Sequence, residues 1–203
     1  MKRILLTSCI LSSTVVFAAE PIEGFYSNVF GGYAYMPNNL SRTFNQNTYS
    51  NATYNAGYTV GGRLGYKSTP MRYEAEYTFI RSQLSKYQMN GIQLTNPSGY
   101  TYANLLMLNA YVDLPGLLPT VNPFINFGLG YALLNSKFTG TTAAGVYNSY
   151  SGNQSVFAYQ GGAGLMYNFA NAMSLDVAYR YVATTNVGYL GKSFQASLVT
   201  AGI

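Results

Sequence analysis

A chain of 203 residues accommodates one domain and leaves no room for a second large one. Only 8% of its residues are charged, against about 25% in an ordinary soluble domain, while Tyr and Gly each occur 21 times and Trp and His are absent. So little charge excludes a conventional soluble surface, and the balance of 11 basic to 6 acidic residues is too weak to point to nucleic acid.

The N-terminus reads as a secretory signal. Lys2 and Arg3 precede the apolar run "ILLTSCILSSTVVF", and Val16 and Ala18 suit the −3 and −1 positions of a cleavage site before Ala19. The competing pattern "LTSC", which would acylate Cys9, leaves too short an apolar segment before it. The expected division is therefore a signal peptide over 1–18 and a single domain over 19–203. Removal of the signal leaves 9 basic residues against 6 acidic and no cysteine, so disulfides contribute nothing to the fold. No later stretch of about 20 apolar residues could span a membrane as a helix.

Instead, period-two alternation recurs along the chain, the pattern of strands with unlike faces. The first segment, "GFYSNVFGGYAYM" (24–36), is apolar on both faces and does not reveal its inner side. "GYTVGGRLGYK" (57–67) sets Tyr58, Val60, Leu64 and Tyr66 against Thr59, Arg63 and Lys67. After the turn signal "STP", "RYEAEYTFI" (72–80) sets Tyr73, Tyr77 and Phe79 against Glu74 and Glu76. "YANLLMLNAYVDL" (102–114) is oriented by Asn109 and Asp113, which share a parity. "PFINFGLGYALL" (123–134), "FAYQGGAGLMYNF" (157–169) and "SLDVAYRYV" (174–182) follow, the last setting Leu175, Val177, Tyr179 and Tyr181 against Asp176 and Arg180. "SFQASLVTAGI" (193–203) makes the eighth strand.

Short links ("STP", "PGLLPTVN", "ANAM") alternate with longer ones rich in Asn, Ser, Thr, Gly and Tyr. Gly-rich stretches ending in Tyr recur at "GGYAY", "GGRLGY", "GLGY" and "GGAGLMY", consistent with two similar halves of four strands. A glycine pair can cradle a phosphate where it follows a strand and opens a helix; these lie inside strand patterns, where glycine makes room for opposing side chains.

A soluble barrel would turn its charged face to water and its apolar face to the lumen. A membrane barrel does the reverse, with an apolar band between aromatic girdles. Export, tyrosines near strand ends on the apolar face, and polar faces too poor in charge to be solvent surfaces all favour the second. The motifs "VGGRLGYK", "YEAEYTF", "LNAYVDL", "NFGLGYA", "FAYQGGAGLMYNF" and "DVAYRYV", in that order, resemble the strands of small OmpA/OmpX-like bacterial barrels, including the surface-antigen or porin-family group, over about 24–203. The resemblance implies an all-β fold, an eight-stranded antiparallel up-and-down transmembrane β-barrel in the outer membrane of a Gram-negative bacterium. Short turns would then be periplasmic and long loops external. Two departures stand out. No peptidoglycan-binding domain is present, so wall anchoring is not implied. The family usually closes its last strand on a terminal aromatic, whereas this sequence ends at Ile203, which implies a truncated sequence or a different insertion signal.

On these parities Arg63, Glu74, Glu76, Asp113, Asp176 and Arg180 point into the lumen. If the second hairpin pairs Tyr66 with Tyr73, Arg63 lies opposite Glu76; a shift of two residues would put it beside Glu74 or Thr78. An eight-stranded barrel has an interior just filled by side chains, so these charges are expected to form a polar plug, the alternative being a narrow porin-like channel for small solutes. The ionisable residues of the long loops are Arg42, Arg81, Lys86, Lys137 and Lys192, with no carboxylate among them. Such a basic rim suits lipopolysaccharide or another polyanion.

Catalysis is not expected. Without histidine the usual nucleophile–base pair and the commonest metal ligand are missing, and Glu74 and Glu76, the one candidate acid/base pair, lie near the short-turn end. No cofactor or metal is expected. The expected partners are outer-membrane lipid, lipopolysaccharide and the barrel-assembly machinery, with host or matrix molecules at the loops. The expected function is that of a monomeric structural, surface-exposed protein of adhesion or antigen type.

Overall fold

The computed structural model describes residues 23–37, 40–44, 48–89, 92–93, 95–115, 121–141, 147–170, 172–187 and 192–203. The expected signal segment, with Cys9, lies outside them. The described residues contain no helix.

Eight long strands form the wall of a closed barrel: β1 (Gly24–Tyr35), β4 (Gly57–Ser68), β5 (Met71–Met89), β7 (Thr95–Asp113), β8 (Asn122–Thr141), β9 (Tyr147–Ala170), β10 (Met173–Val187) and β11 (Lys192–Gly202). Each is antiparallel to its neighbours in sequence, and β1 pairs with β11 to close the ring, so every wall strand has two partners. Closure satisfies the backbone groups internally, which a strand structure needs in order to stand in lipid. Three shorter strands ornament the loop end: β2 (Leu40–Phe44) pairs with β3 (Thr48–Tyr54), β3 pairs with the far half of β5, and β6 (Ile92–Gln93) folds back on β5.

The wall strands run well past the segments expected from alternation. β5 continues to Met89 and β9 begins at Tyr147, so the long connections are largely strand. The physical reason is that beyond the apolar band the outer face turns polar while the inner face mixes Ser and Thr with apolar residues such as Leu84 and Val187. Alternation then disappears, while the hydrogen-bond ladder continues.

The faces divide as parity requires. Phe25 is 89% exposed, Leu108 72% and Leu64 69%, all on the outer face, whereas Arg180 and Glu76 are fully buried inside. On β1 the inner positions are the even ones, with Asn28, Phe30 and Ala34 buried and Val29, Tyr33 and Tyr35 outward. On β11, Phe194, Ala196, Leu198 and Thr200 likewise point in. The outer apolar band runs from Tyr66 to Tyr58 on β4, from Tyr73 to Phe79 on β5 and from Ile125 to Leu133 on β8. Eight residue steps of strand tilted by about 40° span roughly 20 Å along the barrel axis, close to the apolar thickness of about 25 Å typical of such barrels.

The interior is not uniformly polar. Its short-turn half holds the charges, but Ala34, Met36, Ile80, Leu105, Leu134, Val182, Phe194 and Leu198 build an apolar cluster in the loop half. Leu105 and Leu106 are both apolar and face opposite ways, so alternation is silent at these heights.

Candidate functional site

The site with the densest chemistry is the ion-pair cluster inside the barrel. It is positioned by the β4–β5 hairpin, in which Tyr66 pairs with Tyr73 and Arg63 with Glu76. Glu76 is the hub. Arg63 donates to it from Nε at 3.1 Å and Arg180 from Nη1 at 2.5 Å. Thr78 Oγ1 donates at 2.7 Å and Asn109 Nδ2 at 3.2 Å. Gln160, from the opposite wall, donates to Asn109 at 2.6 Å. Asp176 accepts from Arg63 Nη1 at 3.4 Å and from Asn28 Nδ2 at 2.8 Å. Six wall strands (β1, β4, β5, β7, β9 and β10) thus converge on two carboxylates, and a buried charge is tolerated when it is paired and hydrogen-bonded in this way.

A second group lies toward the short turns. Asp113 accepts from Arg72 Nε at 2.9 Å and pairs with Lys67 Nζ at 3.1 Å. Glu74 bridges Arg72 Nη1 at 3.4 Å and the Tyr26 hydroxyl, and its other oxygen lies 3.8 Å from Arg63 Nε, so the two groups are contiguous. Aromatic rings complete the packing. The Arg63 and Arg180 guanidinium carbons stand 4.3 and 4.5 Å from the Phe30 ring centroid, and Arg72 lies 4.5 Å from Tyr111 and 4.9 Å from Phe124. Each such contact adds roughly 0.5–2 kcal/mol, more where water is excluded.

All six residues expected in the lumen (Arg63, Glu74, Glu76, Asp113, Asp176 and Arg180) are buried and joined in this network. Two members were missed. Lys67 shares the parity of Arg63 and Arg72 that of Glu74, and parity alone would have included both. With them, four carboxylates meet four cations, so the cluster is neutral in formal charge.

Glycines of the inner face make room for this packing. A Cβ on Gly65 would lie 2.6 Å from Tyr26 Cζ, and one on Gly162 would lie 2.7 Å from Asn126 Oδ1 and 3.0 Å from Arg180 Cγ. The lumen is nonetheless not filled throughout. A cavity of about 470 Å³ lies at the short-turn end, walled by Tyr26, Asn28, Lys67, Arg72 and Asp176 and capped inward by Arg63.

The five cations of the expected loop rim all lie on strands: Arg42 on β2, Arg81 and Lys86 on β5, Lys137 on β8 and Lys192 on β11. Their assignment to loops is corrected for the reason given above, the continuation of the ladder past the apolar band. Lys86 and Lys137 are exposed and Arg81 is half-buried; the side chains of Arg42 and Lys192 lie outside what the structure describes.

The architecture can be set beside known proteins. The sequence profile of the outer membrane protein beta-barrel domain matches residues 5–201. The chain belongs to that family. It is an outer-membrane barrel, and its aromatic-girdled exterior is the lipid-facing surface. An outer membrane protein of Gluconacetobacter diazotrophicus is 27% identical over 191 residues, which cover 88% of this chain. The match covers 50% of that relative, so this chain spans about half its length. Among solved structures, Neisserial surface protein A superposes with a TM-score of 0.53 at 18% identity, covering 89% of this chain and 95% of that one. At this identity the likeness speaks for the fold alone.

Proposed function

We propose that this outer-membrane barrel is a closed, non-enzymatic surface protein whose external end meets polyanions. The observation that carries the closed reading is the luminal cluster, in which four cations and four carboxylates cross-link the wall strands beneath an apolar layer. Moving an ion along this path requires breaking several buried pairs and then crossing Leu105, Leu134 and Leu198. Hydrophobic constrictions of this kind resist wetting. The groups in the cluster are tied to one another, and none pairs a nucleophile with a base, which supports a structural role over a catalytic one.

The surface reading rests on the cations Arg42, Arg81, Lys86, Lys137 and Lys192 at the loop end. The described carboxylates lie elsewhere: Glu23 sits beside the Thr69 turn, and the other four are luminal. A one-signed rim attracts anionic lipopolysaccharide or host polysaccharide. Reversing all five to Glu in the refolded barrel is expected to abolish binding of a sulfated polysaccharide and of lipopolysaccharide at physiological salt. Unchanged binding would contradict the rim's role. A narrow channel is the second reading, favoured by the cavity of about 470 Å³ at the short-turn end. Single-channel conductance separates the two.

A further inference from the structure

On the outer face of β5, β7 and β8, immediately beyond the apolar band toward the long connections, two rows of polar and aromatic residues run across adjacent strands. In the first row Arg81 pairs with Tyr102, and Tyr102 with Asn135. In the second row Gln83 pairs with Tyr100, and Tyr100 with Lys137. Directly opposed residues in a sheet hold their Cβ atoms about 4.5–5.5 Å apart, so Lys137 flanks Tyr100 on one side. On the other side the Arg81 guanidinium carbon lies 5.2 Å from the Tyr100 ring centroid. Tyr100 and Tyr102 stack at 5.9 Å with an interplanar angle of 20°, forming a flat aromatic shelf between the two cations. Below the shelf the face turns apolar at once, with Phe79 6.2 Å from Tyr102 and Leu133 and Tyr131 exposed on β8.

The charges of this patch have no internal answer. Neither Arg81 nor Lys137 forms an ion pair among the described residues, and the described carboxylates are either luminal or beside the short turn at Thr69. Two unneutralised cations at the edge of an apolar band, pointing outward from the wall, face the headgroup layer of the bilayer. Carboxylate and phosphate groups of a lipid are the anions that reach that depth, and a guanidinium fork with an ammonium beside it matches a phosphate monoester in charge and in donor geometry. Tyrosine rings at this level supply an apolar body and a polar tip, as the interface favours.

We infer that Arg81, Tyr100 and Lys137 form a lateral clamp for the phosphorylated headgroup of an outer-leaflet lipid, on the barrel's side and not at its mouth. This deepens the polyanion reading of the basic rim and rests on it for the orientation of the barrel. It differs in kind, because it assigns two of the five cations to a lipid-facing site with a defined aromatic floor. Acyl chains of the bound lipid lie along Phe79, Leu133 and Tyr131, and the phosphate sits over Tyr100.

The test uses the refolded full barrel in nanodiscs of zwitterionic phospholipid containing fluorescently labelled lipid A, either bearing its two phosphates or enzymatically dephosphorylated. Energy transfer from dye-labelled barrel reports enrichment of the lipid at the wall. The wild-type barrel is expected to prefer the phosphorylated lipid by about tenfold or more, given two cations at the headgroup level. The R81Q/K137Q variant is expected to lose that preference, while T185A, at an exposed position on β10 across the barrel, keeps it. Equal enrichment of both lipids by the wild-type barrel overturns the inference without any variant, as does an unchanged preference in R81Q/K137Q. A soluble sulfated polysaccharide added to the same discs separates the readings. Failure to displace the lipid while still binding at the loops supports a lateral clamp distinct from the mouth. Displacement of the lipid by the polysaccharide, together with an equal loss of both activities in K86Q, assigns the anion site to the rim and overturns the lateral placement.

Discussion

Arg180 on β10 and Glu76 on β5 face each other across the barrel, joined by a hydrogen bond of 2.5 Å although 104 residues separate them in sequence. The contact spans the lumen instead of running along the wall, so it ties opposite sides of the cylinder together. Removing Glu76 leaves Arg63 and Arg180 short of a partner in a buried space, which typically costs about 3–5 kcal/mol. The variant E76L should therefore unfold at markedly lower urea concentration in micelles than wild type. K86Q, on an exposed side chain, should stay within about 0.5 kcal/mol. Fluorescence or gel-shift unfolding curves measure both.

The luminal glycines give a contrast within one residue type. At Gly65 an added methyl meets the Tyr26 ring at 2.6 Å, and that ring is held by its hydrogen bond to Glu74. At Gly31, on the outer face, the nearest atom lies 3.8 Å away. Gly65→Ala is expected to cost about 1–3 kcal/mol as overpacking. Gly31→Ala is expected to be neutral or slightly stabilising, within about 1 kcal/mol. Equal effects of the two substitutions would count against the packing described for the short-turn half.

Leu108 lies in the outer band, paired with Ala75 on one side and Leu129 on the other. A lysine at this depth should cost roughly 2–4 kcal/mol, whereas lysine in place of Gln83, beyond the band, should cost about 0–1 kcal/mol. Unfolding of L108K and Q83K in the same lipid compares them directly. A similar small cost for both would mean that the apolar band lies elsewhere on the wall.

Much of this arrangement was legible from parity. Glu74 and Glu76 share a face, and parity puts Arg63 among them while leaving the hairpin register open by two residues; the register that forms pairs Tyr66 with Tyr73 and Arg63 with Glu76. Where the two faces differ in chemistry, period two reports the fold almost residue by residue. It fails where they do not differ. On β1, Phe25 points out and Phe30 in, and nothing in "GFYSNVF" separates them until β4 and β11 flank the strand. In the loop half, Leu105 and Leu106 are alike in type and opposite in direction, so the inner apolar layer stayed hidden. Past the band the outer face is polar and the inner face mixed, so the far reaches of β5 and β9 read as loops. Arg72 was overlooked because it opens its segment beside a turn, although its parity matches that of Glu74.

At the short-turn end, Glu23 accepts the Thr69 backbone N–H at 3.1 and 3.3 Å through its two oxygens. The hydrogen bonds from Thr69, aided by the charge of Lys67 and offset in part by desolvation, hold the Glu23 carboxyl below its ordinary value. A carboxylate whose folded-state value is depressed stabilises the fold above its unfolded value and loses that contribution as pH falls through the folded one. E23Q should therefore lower the thermal midpoint slightly at neutral pH, and the gap from wild type should close below about pH 4. A gap that is constant from neutral to acid pH would rule out the ionised carboxylate as its source.

Closure of the lumen by its own side chains is tested most directly by the conductance of the purified, refolded barrel in planar bilayers at neutral pH. The paired cluster around Glu76, with the apolar layer of Leu105, Leu134 and Leu198 beyond it, predicts no steady current beyond the bare-bilayer baseline. Sustained, sizeable openings from the wild-type barrel would contradict the closed lumen and make the channel reading the correct one.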